Sequence, residues 1–278
     1  MKIAFSPCPN DTFIFHSLVN GSVPGFDDVK VTYADIDQTN GWAAEGEGPS
    51  VMKISFAALP YAASDYDLLQ CGGALGRGCG PLLLMKQEDT SDWHEKTIAV
   101  PSDKSTAYLL FRLWQKQQFS GVKAAVTVMP FEDIMPAVER GDVDAGLVIH
   151  EARFTYQNFG LKKLVDLGDW WEQDTGTPIP LGAIIAKKGT DTDMLAAGIR
   201  TSLTAAWENP EKVMPYVMEH AQEMSEEVAK SHIDLYVNEF SFALGSTGRE
   251  AVEQLLTRAA DEGLVPEMNW DDLWNKQS

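Results

Sequence analysis

His150 closes the apolar run Gly146-Leu147-Val148-Ile149, which reads as a strand. Ligands of α/β sheets bind outside the carboxyl ends of strands. Imidazole titrates nearest neutrality, so a histidine at that place suits general-base work. A hydrogen-bonded structural histidine would fit the same spot. Lys53, Arg77 and Arg153 are the candidate cations for an anionic ligand, assisted by the hydroxyls of Ser55, Ser105 and Thr106. The backbone amides of Thr106 and Ala107, at a helix start, would donate to a carboxylate. Lys53 lies between Met52 and Ile54 in a half-buried segment, unlike the usual solvated lysine.

Other chemistries fail on spacing. His150-Glu151 and Arg153 lack the second histidine one helical turn on that a zinc protease needs. No GxSxG elbow is present for a serine hydrolase. Cys8, in Pro7-Cys8-Pro9, could be a nucleophile, although a buried inert thiol is the commoner state of a lone cysteine. Gly72-Gly73-Ala74-Leu75-Gly76-Arg77-Gly78-Cys79-Gly80 lacks the G-K-[ST] ending of a phosphate loop and does not open a helix. Glycine at this density lets backbone approach backbone, or a ligand, where the chain crosses between domains. His16, His94, His220 and His232 need only surface or interhelix packing.

Lysine plus arginine number 22 against 41 aspartates and glutamates, a formal charge of −19. Such acidity repels phosphate backbones and anionic lipids, which argues against nucleic-acid and membrane partners and demands a local donor cluster for any anionic ligand. No apolar run approaches the roughly 20 residues of a membrane span. Met1 to Phe5 is cut by Ser6-Pro7 before the about 7–15 apolar residues of a secretory signal, so a cytoplasmic location is expected. Three cysteines, Cys8, Cys71 and Cys79, make a poor disulfide or zinc framework.

The elements that must carry these residues read as α/β. Ile3 to Phe5 is a strand, followed by a helix over Phe13 to Val19 that Asp11 or Thr12 could cap. Strands follow at Val29 to Tyr33 and Pro81 to Met85, with a short helix at Trp42 to Gly46. The pattern restarts at Thr97 to Pro101, with a polar loop and a helix from Ala107 to Gln115. Then come strand Ala125 to Met129, helix Phe131 to Arg140 stopped by Gly141, and strand Ala145 to Ile149. Pro178 to Pro180 breaks the chain and Leu181 to Ala186 leads back as a strand. From Asp191 the sequence is helical. Two strand–loop–helix units suggest two α/β lobes facing each other across a cleft.

Four motifs in order, Ser6-Pro7-Cys8-Pro9-Asn10-Asp11-Thr12-Phe13, Gly72 to Gly78, Gly146 to Tyr156 and Pro178 to Ile184, resemble the 1,4-dihydroxy-6-naphthoate synthases. The similarity extends through Tyr236-Val237-Asn238. It implies a type II periplasmic-binding-protein-like fold, with two α/β lobes, two crossing hinge strands and a helical C-terminal tail. On that fold residues 1–84 with 181–278 form the larger lobe and 85–180 the smaller. It implies a lyase of menaquinone biosynthesis by the futalosine route, taking cyclic dehypoxanthine futalosine to 1,4-dihydroxy-6-naphthoate. The substrate is a small anion, and no metal or organic cofactor is expected. The family's base maps onto His150 and its substrate-contacting segments onto Lys53, Ile54 and Ser55 and onto Thr106 with Ala107. Cys79 stands where the family often has an aliphatic residue, which further weakens any role for that thiol. Two rivals share the architecture: a non-catalytic binding protein for a small carboxylate, and a chorismate dehydratase of the same pathway.

Overall fold

Lys2 to Phe5, stopped by Ser6 and Pro7, begins a chain seen here as a computed structural model that describes residues 1–87, 96–119, 124–150, 152–221 and 225–274. His94 and Glu151 lie outside the described residues. The chain divides into two compact units, Met1–Gly76 with Pro180–Ser278, and Arg77–Ile179. In order, the first unit opens with β1 (Lys2–Phe5), α1 (Pro9–Val19), β2 (Lys30–Tyr33), α2 (Ile36–Ala44) and β3 (Val51–Ser55). A 3-10 turn over Phe56–Ala58, α3 (Leu59–Ala62) and β4 (Tyr66–Gly76) follow. The second unit holds β5 (Leu82–Lys86), β6 (Thr97–Val100), α4 (Thr106–Gln118), β7 (Ala125–Val128), α5 (Phe131–Arg140) and β8 (Ala145–Val148). It ends with α6 (Ala152–Thr155), a 3-10 turn over Tyr156–Phe159, β9 (Leu161–Asp166) and α7 (Leu167–Thr175). β10 (Ile179–Lys187) returns to the first unit. After it come α8 (Thr192–Glu208), α9 (Pro210–His220), α10 (Glu226–Tyr236), α11 (Glu239–Phe242), α12 (Gly245–Asp261) and α13 (Trp270–Trp274).

The first unit's sheet has the order β2-β1-β3-β10-β4. β1 runs parallel to β2 and β3, and β10 antiparallel to β3. Every residue of β3 is buried, including Lys53 and Ser55, as a central strand covered on both faces requires. Pro9 opens α1, where its missing N–H costs nothing. Phe13, Ile14, Phe15 and Leu18 of that helix enter one core with Ile3, Phe5, Ile184, Ile199 and Leu203. Ser202 of α8 fastens the contact: its hydroxyl donates to the Ile14 carbonyl at 2.7 Å and accepts the Leu18 amide at 3.1 Å.

In the second unit the order is β7-β6-β8-β5-β9. β6 is parallel to β7 and β8, while β5 is antiparallel to β8 and β9. α5 buries Ile134, Ala137 and Val138 at helical spacing against Leu84, Ala99 and Val148. Its boundaries, Phe131–Arg140, are those the sequence indicates.

Several elements differ from the sequence reading, among them α1, which starts at Pro9, and α7, which that reading lacks. α2 starts at Ile36 after Asp35 and ends before the expected stretch is over, because polar Gln38, Thr39 and Asn40 hide its first turns. β9 was unanticipated: Lys162 and Lys163 stand side by side and blur any alternation. The glycines from Gly72 to Gly76 belong to β4 itself and do not form a connecting loop. β5 pairs with β8 and β9, so residues 82–84 sit in the second unit's sheet.

Close backbone approach explains two of those glycines. A Cβ on Gly73 would stand 2.7 Å from the carbonyl oxygen of Gly182 in β10, and one on Gly80 would overlap the backbone of Gly168. A side chain there cannot be relieved by rotating a neighbour. Gly80→Ala is therefore expected to destabilise the protein by about 3 kcal/mol, the upper end of ordinary overpacking, seen as a lowered urea midpoint. A shift under about 0.5 kcal/mol, the size of a neutral surface change, would contradict the close approach.

Candidate functional site

At the carboxyl edge of the first unit's sheet, β3 delivers Ser55 to the start of the 3-10 turn. Asn40 of α2 grips it twice. The Ser55 amide donates to Asn40 Oδ1 at 2.7 Å, and Asn40 Nδ2 donates to Ser55 Oγ at 3.0 Å. Ile54 is fully buried and lies opposite Ala183 of β10.

Lys53 corrects the expectation of a cation free for substrate. Its ammonium lies 2.6 Å from Asp11 Oδ1 with both side chains 3% exposed, and it also donates to the Gly72 carbonyl at 3.2 Å. A buried charge must be paired to be tolerated, and Asp11 does the pairing. Asp11 and Thr12 accordingly do not cap α1: Cys8 occupies that position without a side-chain bond, and Thr12 Oγ1 donates to the Cys8 carbonyl at 3.1 Å. Asn10 Nδ2 donates to the same Asp11 oxygen at 2.8 Å, which turns Asn10 Oδ1 to His232 Nε2 at 3.0 Å. That oxygen can only accept, so Nε2 of His232 carries the proton.

In the second unit His150 follows β8. Among the described residues it is the one non-glycine with a positive φ, +52°. Its ring is half-buried with its centroid 5.9 Å from that of Phe131, and its carbonyl accepts the Arg153 amide at 3.3 Å. Arg153 holds the glycine-rich segment: its guanidinium donates to the carbonyls of Gly78, at 3.0 Å, and Gly80, and to Asp166 Oδ2 at 3.0 Å. The other oxygen of Asp166 accepts the Gly168 amide at 3.0 Å and caps α7. Arg77 pairs with Glu172 at 3.4 Å and donates to the Gly176 carbonyl at 2.9 Å. All three candidate cations thus have protein partners.

The start of α4 is built differently. Ser105 Oγ accepts the Tyr108 amide at 3.1 Å and donates to the Ser102 carbonyl at 3.0 Å. The Ser105 carbonyl takes the Leu109 amide at 3.0 Å. Thr106 and Ala107 stand buried in the first turn, where helix geometry leaves amides without intrahelical acceptors. β6 and β8 are parallel neighbours, so the start of α4 and His150 both follow carboxyl ends on one edge of this sheet. The fold brings His150, Thr106 and Ala107 to that edge, and Lys53, Ile54 and Ser55 to the equivalent edge of the first unit.

The cysteines are free. Burial pushes the Cys71 thiol up to about 11 and the Cys79 thiol up to about 12, so both stay protonated and unreactive. Among the described residues no cluster of three histidine, cysteine or acidic side chains could hold a metal, and no helix is long and apolar enough to cross a membrane. Asn10, Asn40 and His232 are the site-supporting residues that sequence reasoning missed or set aside. Ser6 to Phe13 drew notice as a motif, and nothing local marked Asn40.

Residues 1–261 match the family model for menaquinone biosynthesis. The chain belongs to that family. The menaquinone-biosynthesis relatives include the 1,4-dihydroxy-6-naphthoate synthase of Streptomyces coelicolor, 58% identical over 98% of this chain and 97% of that one. The enzyme of the same name from Thermus thermophilus is 41% identical over 95% and 96%. Among solved structures, protein AF1704 from Archaeoglobus fulgidus is similar with a TM-score of 0.87 and 31% identity, covering 95% of this chain and 98% of that one. The periplasmic aliphatic sulphonate binding protein SsuA from Escherichia coli matches at 0.66 with 14% identity, over 96% and 88%. The family member described here thus has the two-lobed α/β fold of periplasmic binding proteins.

Two stability tests follow from the site. Asp11→Ala strands a buried ammonium and should cost about 3–5 kcal/mol in denaturant unfolding, while Asp11→Leu combined with Lys53→Met should cost less than either single change. Equal or additive losses would mean that the pair is not coupled. At position 150 the usual ranking should invert, with His150→Gly about 1 kcal/mol more stable than His150→Ala, because only glycine enters the left-handed region freely. An alanine variant as stable as the glycine one would remove the left-handed turn from the account.

Proposed function

We propose that this menaquinone-biosynthesis enzyme is a carbon–carbon lyase that converts cyclic dehypoxanthine futalosine to 1,4-dihydroxy-6-naphthoate, with His150 as the general base. The observation that carries the assignment of the base is the left-handed backbone of His150 on the same sheet edge as the start of α4. Strained residues that a fold retains cluster where chemistry is done. The neutral imidazole takes a proton from the bound substrate, a carbon–carbon bond breaks, and the sugar-derived fragment leaves as the second ring becomes aromatic. Formation of that ring drives the step.

The substrate is a small anion, and neutral groups hold it. In the first unit the Ser55 hydroxyl is the donor for the carboxylate, and in the unit that carries His150 Thr106 and the Ala107 amide are donors for charge developing in the transition state. Ile54 serves through its backbone. Lys53 serves by fixing β3 against α1, since its own charge is spent on Asp11. Three free thiols suit the reducing cytoplasm, where we place the enzyme.

Incubation with cyclic dehypoxanthine futalosine should yield 1,4-dihydroxy-6-naphthoate by mass, whereas chorismate should be recovered unchanged. Conversion of chorismate would make the chain a dehydratase, and recovery of both compounds intact would make it a binding protein. His150→Ala should lower turnover by about 10²–10⁴-fold, with product affinity held within a few-fold. Turnover near the parent's would remove His150 from the role of base.

A further inference from the structure

The geometry points to Asn40 as the residue that makes the site selective for a carboxylate, by fixing the direction in which Ser55 shares its proton. The inference rests on the reading that Ser55 receives the substrate's carboxylate. A backbone amide can only donate, so the Asn40 atom 2.7 Å from Ser55 N is Oδ1. The other end of the same side chain is then Nδ2, which can only donate, and it stands 3.0 Å from Ser55 Oγ. Ser55 Oγ must accept there, and its own proton has to point elsewhere.

The orientation is locked from every side. Asn40 is fully buried, and Ser55 is 4% exposed. Because the oxygen and the nitrogen of one planar amide each bond Ser55, a flip of the amide would face two donors against each other at the Ser55 backbone. Ser55 does not spend its hydroxyl on capping the turn that it begins. A buried hydroxyl proton without an acceptor is costly, and a carboxylate oxygen arriving at the β3 end removes that cost. A carboxylate offers that proton an acceptor at either oxygen, whereas a carboxamide of the same shape offers one only through its single oxygen. Asn40 is therefore a positioning residue that acts through Ser55 and does not touch the substrate.

The test compares binding of 1,4-dihydroxy-6-naphthoate with binding of its 6-carboxamide to the intact enzyme. The parent should prefer the carboxylate by about 10–100-fold, the worth of a hydrogen bond to a charged group. Asn40→Asp keeps an acceptor for the Ser55 amide but presents a second acceptor to Oγ, which draws the hydroxyl proton inward. Its preference for the carboxylate should vanish at pH 8 and return in part as pH falls and the introduced carboxyl takes up a proton that it can donate. Because a second carboxylate nearby would also repel the ligand by charge, the uncharged Asn40→Ala is measured beside it and should lower the preference several-fold, which a merely structural role would not do. Ser55→Ala should abolish the preference at all pH values, and adding Asn40→Asp to it should change nothing further. Should Asn40→Asp fail to give a cooperative unfolding transition, Asn40→Ala alone decides, its preference falling because the hydroxyl is then free to turn. A Ser55→Ala enzyme that keeps its preference would overturn the placement of the carboxylate. If Ser55→Ala loses the preference but the Asn40 variants keep it, the placement stands and the role of Asn40 is wrong.

Discussion

The first unit is organised around two opposite charges placed out of water. At 3% exposure neither Lys53 nor Asp11 is solvated, and the two charges are paired at 2.6 Å. The pair is also a junction. His232 of α10 donates to Asn10, Asn10 and Lys53 donate to Asp11, and Lys53 reaches the Gly72 carbonyl in β4. A C-terminal helix, the first helix, the central strand and a glycine of β4 are thereby tied by one directional chain of hydrogen bonds. A wrong register at any of these elements would leave a charge unpaired, so the network specifies the arrangement more than it adds to net stability.

The second unit repeats the logic with Arg153, whose guanidinium is divided among Asp166 and two carbonyls of the glycine-rich segment. Both units thus consume their buried cations internally and leave hydroxyls and helix-start amides at the sheet edges. For a chain with a formal charge of −19 this has a physical advantage. An exposed lysine in such a field attracts the protein's own carboxylates, whereas amides and hydroxyls carry no net charge to be neutralised.

The sequence made legible what is local and periodic. The helix Phe131–Arg140 could be read to its ends from apolar spacing and a terminal glycine, and the strand before His150 from its apolar run. Similarity of whole motifs supplied the fold, which composition and periodicity could not. What escaped was long-range pairing. Lys53 and Asp11 are 42 residues apart, and Asn10 and His232 are 222 apart. A lysine among apolar residues signals burial but not its partner, so it was read as a ligand group when its charge was already spoken for. Asn40 was invisible for a related reason. It lies in a polar stretch, Gln38-Thr39-Asn40-Gly41, whose helical state is decided by packing and by its contact with Ser55, not by propensity.

Two histidines differ sharply in backbone conformation. His232 is fully buried in the regular helix α10, its Nε2–H given to Asn10. An ordinary helical residue can perform that structural task without strain. His150 adopts instead a left-handed conformation that glycine would take at less cost. The turn is kept in place from its own carbonyl, which accepts the Arg153 amide, and from the anchoring of Arg153 to Gly78, Gly80 and Asp166. The half-buried ring stands on the same sheet edge as the start of α4. A non-glycine left-handed turn held by these anchors, with a half-buried imidazole on it, is where this fold stores backbone strain.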